Sequence, residues 1–127
     1  MNIVEFFGRL LLSALFLIEG IGKISIQEDV VMYMESYGVP GILFLPAIIL
    51  EILFPMLLIV GYRTKWVASV MTLFTLTVAI IFHTDFSESM QMMLFLKDLA
   101  IAGGFMIIIA YGPGKISLDH YFKPKQE

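Results

Sequence analysis

Hydrophobic positions fall into four long stretches, Phe6 to Ile26, Ile42 to Val60, Trp66 to Phe82 and Met90 to Tyr111, separated by short polar segments. At 1.5 Å of rise per residue each is about long enough to cross a hydrocarbon layer of roughly 30 Å, the third being the shortest. Backbone polar groups find no water in lipid, so the stretches are expected to be helices rather than open strands. The pattern therefore predicts an all-α protein, a four-transmembrane-helix bundle forming one domain over residues 1–127, with a tail over 112–127 whose last dozen residues are expected to be loose. Between the first two spans, Val30, Val31, Met34 and Tyr37 recur at helical spacing before Gly38 and Pro40. That predicts a short amphipathic helix in the first external loop.

Charge orients the spans. The turn Gly61-Tyr62-Arg63-Thr64-Lys65 carries two positive charges, Arg9 lies near the start of the first span, and the tail holds Lys115, Lys123 and Lys125. Acidic residues mark the other side, with Glu28, Asp29 and Glu35 in the first loop and Asp85 and Glu88 in the third. By the positive-inside rule both termini are expected in the cytoplasm. Tyr62, Trp66, Tyr111 and Tyr121 lie near the cytoplasmic boundary, where an aromatic belt belongs.

Composition narrows the function classes. Of 127 residues, 59% are hydrophobic and 15% charged, and the mean hydropathy is +0.91, so the lipid bilayer is the expected surrounding. The first span has little positive charge before it and no small-x-small cleavage site after it, and is expected to stay in the mature chain. The absence of cysteine excludes thiol redox chemistry, disulfides and thiolate metal sites. No basic patch suits a nucleic acid.

Within the spans, ionisable residues are the candidates for chemistry. Glu51 sits inside an otherwise apolar run, where an unpaired carboxylate costs about 2.5–3.5 kcal/mol on insertion scales, so it is expected to face protein. Glu19 and Lys97 lie roughly 10 Å in from the outer ends of their spans and Glu51 roughly 13 Å in, close to a common depth. Glu19 and Lys23 are four apart in the orientation that favours a local helical pair. Glu51 has no partner in its own span, which leaves a bridge to Lys97 or a contact with substrate, proton or cofactor. Pro55 removes the hydrogen bond that would satisfy the Glu51 carbonyl and predicts a kink. Asp98, one residue past Lys97, points about 100° away and is not expected to share its crevice. Counting Glu19, Lys23, Glu51, Lys97 and Asp98 gives three negative charges against two positive, which predicts that one group, Glu51 above all, changes protonation state.

The third span carries Ser69, Thr72, Thr75, Ala79 and His83 at intervals of three and four, a stripe of the kind that lines helix contacts. His83 at its end reads as an interfacial residue, as a proton donor to the cluster, or as completing a metal site with Glu51 and Glu19. Ala100, Gly103 and Gly104 predict a close helix approach. Met32, Met34, Met90, Met92 and Met93 are read as apolar filling ahead of a soft metal site, and no metal is assigned.

Four segments together are similar to the DoxX family of small bacterial membrane proteins. They are Arg9-Leu10-Leu11-Leu12 through Glu19-Gly20-Ile21-Gly22-Lys23, Leu50-Glu51 with Gly61 closing the span, Phe95-Leu96-Lys97-Asp98-Leu99-Ala100 to Gly103-Gly104, and Tyr111-Gly112-Pro113-Gly114-Lys115-Ile116-Ser117-Leu118-Asp119. Asp98 departs from the asparagine usual in the family. The resemblance implies a protein of the bacterial cytoplasmic membrane linked to redox systems, with relatives described as quinone-dependent oxidoreductase subunits or as membrane partners of redox enzymes. On that basis Glu51 and His83 are expected as catalytic proton-exchanging groups, and Glu19, Lys23, Lys97 and Asp98 as groups that bind a cofactor, with a quinone as candidate. A redox-enzyme partner and a homo-oligomer are further expectations. No flavin, haem or iron–sulfur pattern is visible, so electrons would come from a partner or from a bound quinol. The rival reading is a non-enzymatic membrane scaffold or a small permease.

Overall fold

A computed structural model describes residues 2–122, and among these every regular element is helical. The order is α1 (Asn2–Ser25), α2 (Gln27–Ser36), a 3-10 turn (Gly41–Leu43), α3 (Phe44–Val60), α4 (Thr64–Phe82), α5 (Ser89–Tyr111) and the short α6 (Leu118–Tyr121).

Helix boundaries follow local chemistry. Glu5 in the first turn and Lys23 in the last complement the dipole of α1. The predicted external helix forms as α2, and Gly38, in the left-handed region at φ 79°, ends it with its N–H on the Glu35 carbonyl. At the far end of α3, Gly61 adopts φ 75° and donates its N–H to Leu57, closing the helix before the turn into α4. Helix α3 runs through Pro55 to Val60 without a break.

Helix α1 packs chiefly on α3, α4 on α5, and α3 on α4. Phe16, Leu58, Val67, Ala68, Met71, Phe105 and Ile108 form the main core. A second core joins Met34 to Phe44 and Ile48, flanked by Val30, Val31, Val39, Ile52 and Phe82, so α2 lies across the ends of α3 and α4. The outward faces remain apolar, with Leu11, Ile18, Leu53, Leu73, Ile80 and Ile107 all exposed, as lipid-facing helices require.

Three segments are long and apolar enough to cross a membrane: Gly41–Val60, Thr64–Phe82 and Ser89–Tyr111. At 24 residues α1 also has the length, about 36 Å, but carries Glu5, Arg9, Glu19 and Lys23.

The expected loose tail is corrected in part. Residues 112–122 fold back onto the turn between α3 and α4, with the Asp119 N–H on the Gly61 carbonyl at 2.8 Å. Lys123 and Lys125 lie outside the described residues.

Candidate functional site

Glu51 is 3% exposed on the face of α3 that meets α1. Its partner is Lys23, whose Nζ lies 2.7 Å from Oε1. The contact depends on Gly20, one turn before Lys23 on α1. A Cβ placed there would stand 3.1 Å from the Glu51 Cβ, 3.1 Å from the Ile52 Cγ1 and 3.4 Å from the Glu51 carbonyl oxygen. The bare glycine thus lets α1 approach the carbonyl that Pro55, lacking an N–H, leaves without its helical donor.

The pairing differs from both sequence expectations. Lys97 does not bridge to Glu51; its Nζ lies 3.5 Å from Glu19 Oε1, so the two lysines each serve a carboxylate on another helix. The local Glu19–Lys23 pair is likewise absent. Each acid is held across a helix interface, where a lysine stem can lie along the neighbouring backbone and deliver its charge.

Asp98 also corrects its expectation. It is the buried member of its pair, 7% exposed, while Lys97 lies at the rim. The His83 Nε2 lies 3.7 Å from Asp98 Oδ2, and the Lys97 Nζ 3.9 Å from Oδ1. The Nδ1 of His83 meets the Gln91 Oε1 at 3.2 Å, which favours the tautomer or cation that donates from Nδ1. Thr72, Thr75 and Ala79 of the predicted stripe are buried behind His83, and Ser69 at its other end is half-buried. On α2, Tyr33 and Tyr37 pack on Phe82, with ring centroids 5.5 and 5.1 Å away. Partial burial and the neighbouring Tyr37 hydroxyl push the Tyr33 phenol up from its ordinary value.

Six groups from α1, α3, α5 and the C-terminal cap of α4 thus gather at one end of the molecule. Asp98 lies within Coulombic range of Lys97, His83, Glu19 and Lys23. The geometry revises the charge count made without His83. With that ring protonated, three acids face three bases and the cluster is neutral; with it neutral, one negative charge is in excess. His83 is therefore a second route to charge balance beside protonation of a carboxyl. Gly104 abuts Leu12 of α1, whereas Gly103 meets nothing within 4 Å, so one glycine of the pair makes the close approach.

A second polar cluster, about 21 Å away along α1 by helical rise, was not legible as a site. Arg9 is 2% exposed, with its guanidinium donating to the carbonyls of Leu58 (2.8 Å), Ile59 (3.2 Å) and Ile116. It thereby covers the open carbonyl end of α3 and ties the C-terminal segment to it. Asp119 accepts the Arg63 and Thr64 N–H groups, each at 2.7 Å, capping α4 from 55 residues away. Burial alone would raise the Asp119 carboxyl, but the N–H and hydroxyl of Thr64, the Arg63 N–H and the nearby Arg9 charge hold it below the ordinary value. An arginine in an apolar span was the available signal; its value as an orientation marker hid its structural role.

The DoxX family model matches residues 4–84, which span Glu19, Lys23, Glu51 and His83. The chain belongs to the DoxX family. It is 36% identical over 118 residues to the inner membrane protein YqjF of Escherichia coli K12, covering 93% of this chain and 91% of that protein. It is 31% identical over 119 residues to the inner membrane protein YphA of the same strain, covering 88% and 85%. No solved structure matches it significantly. This DoxX-family chain is an integral, multi-pass protein of the bacterial inner membrane, in contact with the lipid bilayer.

Proposed function

We propose that this DoxX-family protein is a redox-associated membrane subunit whose charged cluster binds a quinone headgroup or a small anion. In this reading α1 is the fourth crossing helix and both termini are cytoplasmic, which puts the cluster beneath the outer surface and α2 over it.

The observation that carries the reading is the accessibility of the rim pair. Glu19 and Lys97 are 3.5 Å apart with side chains 39% exposed, beside two buried carboxylates, Glu51 and Asp98. A charge pair held loosely at the edge of a buried ionic site is one that an incoming oxygen can displace. Lys97 and Lys23 would then hold the carbonyl or anionic oxygens, while Glu51 and His83 exchange protons with the bound molecule. Glu19 and Asp98 balance the lysine charges when the site is empty. Electrons would pass to or from a partner protein, because the chain has no cysteine for a cluster and no visible flavin motif.

Extraction of the native protein in mild detergent and mass spectrometry of its small-molecule passenger tests the reading. Quinone is expected in the wild type and is expected to fall at least tenfold in Glu51→Gln and Lys97→Met. Unchanged quinone content in both folded variants would remove the proposal.

A further inference from the structure

Gln91 takes no part in the charge pairing, yet it holds the Nδ1 edge of His83. Both residues stand at helix ends fixed by their backbones. The His83 N–H closes α4 on the Ala79 carbonyl at 3.0 Å, and the Gln91 N–H returns to the Glu88 carbonyl at 3.1 Å at the start of α5. Their side chains then meet across the intervening loop, Nδ1 to Oε1, at 3.2 Å. On the other edge of the ring Nε2 faces the Asp98 Oδ2 at 3.7 Å. Among the described residues no other side chain forms a hydrogen bond or an ion pair with this imidazole.

The far end of the Gln91 amide is held by α2. The Tyr33 hydroxyl is hydrogen-bonded to Gln91 and to Tyr37, and its ring stacks on Phe82, the residue before His83. With Oε1 taken by the imidazole, the amide N–H₂ is the end that meets the Tyr33 oxygen, and the Tyr33 O–H donates onward to Tyr37. Each link then pairs a donor with an acceptor. A flipped amide would set its N–H₂ against Nδ1 and admit no proton there. The ring could then not become the cation that, with Lys23 and Lys97, balances the three carboxylates.

With Nδ1–H committed to Gln91, Nε2 is the nitrogen left to gain or lose a proton, and the group it faces is a buried carboxylate. We propose that Gln91 and Tyr33 are positioning residues that keep one His83 proton on Nδ1 and aim Nε2 at Asp98, so that the mobile proton of the site passes between Nε2 and Asp98. In that step the N–H bond at Nε2 breaks and an O–H bond forms on Asp98. Imidazolium and carboxylate become a neutral imidazole and a carboxylic acid that donates back to Nε2, and the charge of the pair is unchanged. Lys97, Glu19 and Lys23 reach Asp98 only as charges, Glu88 acts in the same way on Tyr33, and Glu51 is taken by Lys23, so none competes for the ring. Asp98 thereby becomes a second proton carrier beside Glu51. Delivery of that proton to a bound molecule rests on the proposed quinone or anion site; the hold on the tautomer belongs to the protein alone.

The test is nitrogen-15 NMR of the full chain in nanodiscs, labelled at histidine, without added quinone. The chain has two histidines, so a His120→Gln parent leaves His83 as the single labelled ring. At a pH where the ring is neutral, the parent is expected to show the Nδ1–H tautomer. Gln91→Met, of similar length, removes the amide acceptor and is expected to shift the tautomer ratio about fivefold toward Nε2–H; Tyr33→Phe should shift it the same way by less. Gln91→Glu restores an acceptor and is expected to keep Nδ1–H, a rescue that packing alone does not produce. In a pH series with carbon-13 aspartate, the carboxyl resonance that Asp98→Asn removes is expected to move at the same midpoint as Nε2. A parent ring protonated on Nε2, or a tautomer ratio that Gln91→Met leaves unaltered, overturns the positioning role. Separate midpoints for Nε2 and Asp98 overturn the transfer. Absence of quinone from the native protein alters neither result, so this proposal and the redox reading fail separately.

Discussion

Lys23 reaches past Glu19, one turn away on its own helix, to place its Nζ 2.7 Å from Glu51 on α3. The choice follows from burial. Glu19 is at the rim, where water and Lys97 serve it, whereas Glu51 is enclosed and a carboxylate there without a cation is costly. Lys23→Met is therefore expected to destabilise the protein by about 3 kcal/mol. In the double variant Lys23→Met/Glu51→Gln most of that loss returns, because no buried charge is left alone. Reversible unfolding in mixed micelles measures both, and equal stability of the single and double variants would contradict the pairing.

Gly20 is the spacer that makes this contact possible. Its prospective Cβ lies 3.1 Å from two α3 side-chain atoms, tighter than ordinary contact but within reach of a small adjustment. Gly20→Ala is expected to cost about 1 kcal/mol, and Gly20→Leu, which must push the helices apart, 3 kcal/mol or about that, at the upper end of overpacking penalties. The same unfolding assay should rank them in that order. The larger variant should also lose the Lys23–Glu51 contact, seen as a carboxyl stretching band in the infrared that Glu51→Gln abolishes.

The helices and the depth of the ionisable residues were legible because apolar runs and the cost of charge in lipid act through sequence alone. Partners were not, because they depend on which helix faces lie together. Lys23 and Lys97 exchanged their expected acids once α1 packed on α3, and the 100° offset between Lys97 and Asp98 proved to put the aspartate inside. His83 was recognised as titratable, but its place opposite Asp98 required the register of α4 against α5. Arg9 and Asp119 show the same limit over a greater distance, since a cap supplied from 55 residues away leaves no local signature.

The docking of the C-terminal segment carries a pH dependence of known sign. Asp119 has a folded-state pKa below its ordinary value, so its contribution is fully present above the unfolded value of about 3.9 and is lost as pH falls through the lower folded value. Protease sensitivity of residues 112–122 is expected to rise on acidification within that window. In Asp119→Ala, which leaves the Arg63 and Thr64 N–H groups uncapped at about 1 kcal/mol, the segment should be sensitive at neutral pH and show no such step.

Gly61 combines a positive φ with close contact. Any side chain there meets Ser117, and its Cβ would stand 2.6 Å from the Arg9 Nη1. Gly61→Ala should therefore cost more than the roughly 1 kcal/mol of left-handed strain alone and free the C-terminal segment, giving the proteolysis pattern of Asp119→Ala. A variant as resistant as wild type would show that Arg9 can shift without loss.

Charge balance separates Asp98 from Lys97. Asp98→Asn leaves Glu19 and Glu51 against Lys23 and Lys97, a neutral set that needs no proton on His83, and an amide can still meet His83 from Asp98's position. Its cost is expected to stay within about 1 kcal/mol. Lys97→Met leaves three carboxylates with Lys23 and His83, so the cluster must take up a proton or carry excess charge. That variant should be the less stable of the two at alkaline pH and recover as pH falls, while Asp98→Asn stays nearly flat. Thermal midpoints measured across the neutral range decide it: parallel pH profiles for the two variants would mean that the three acids and three bases do not act as one electrostatic unit.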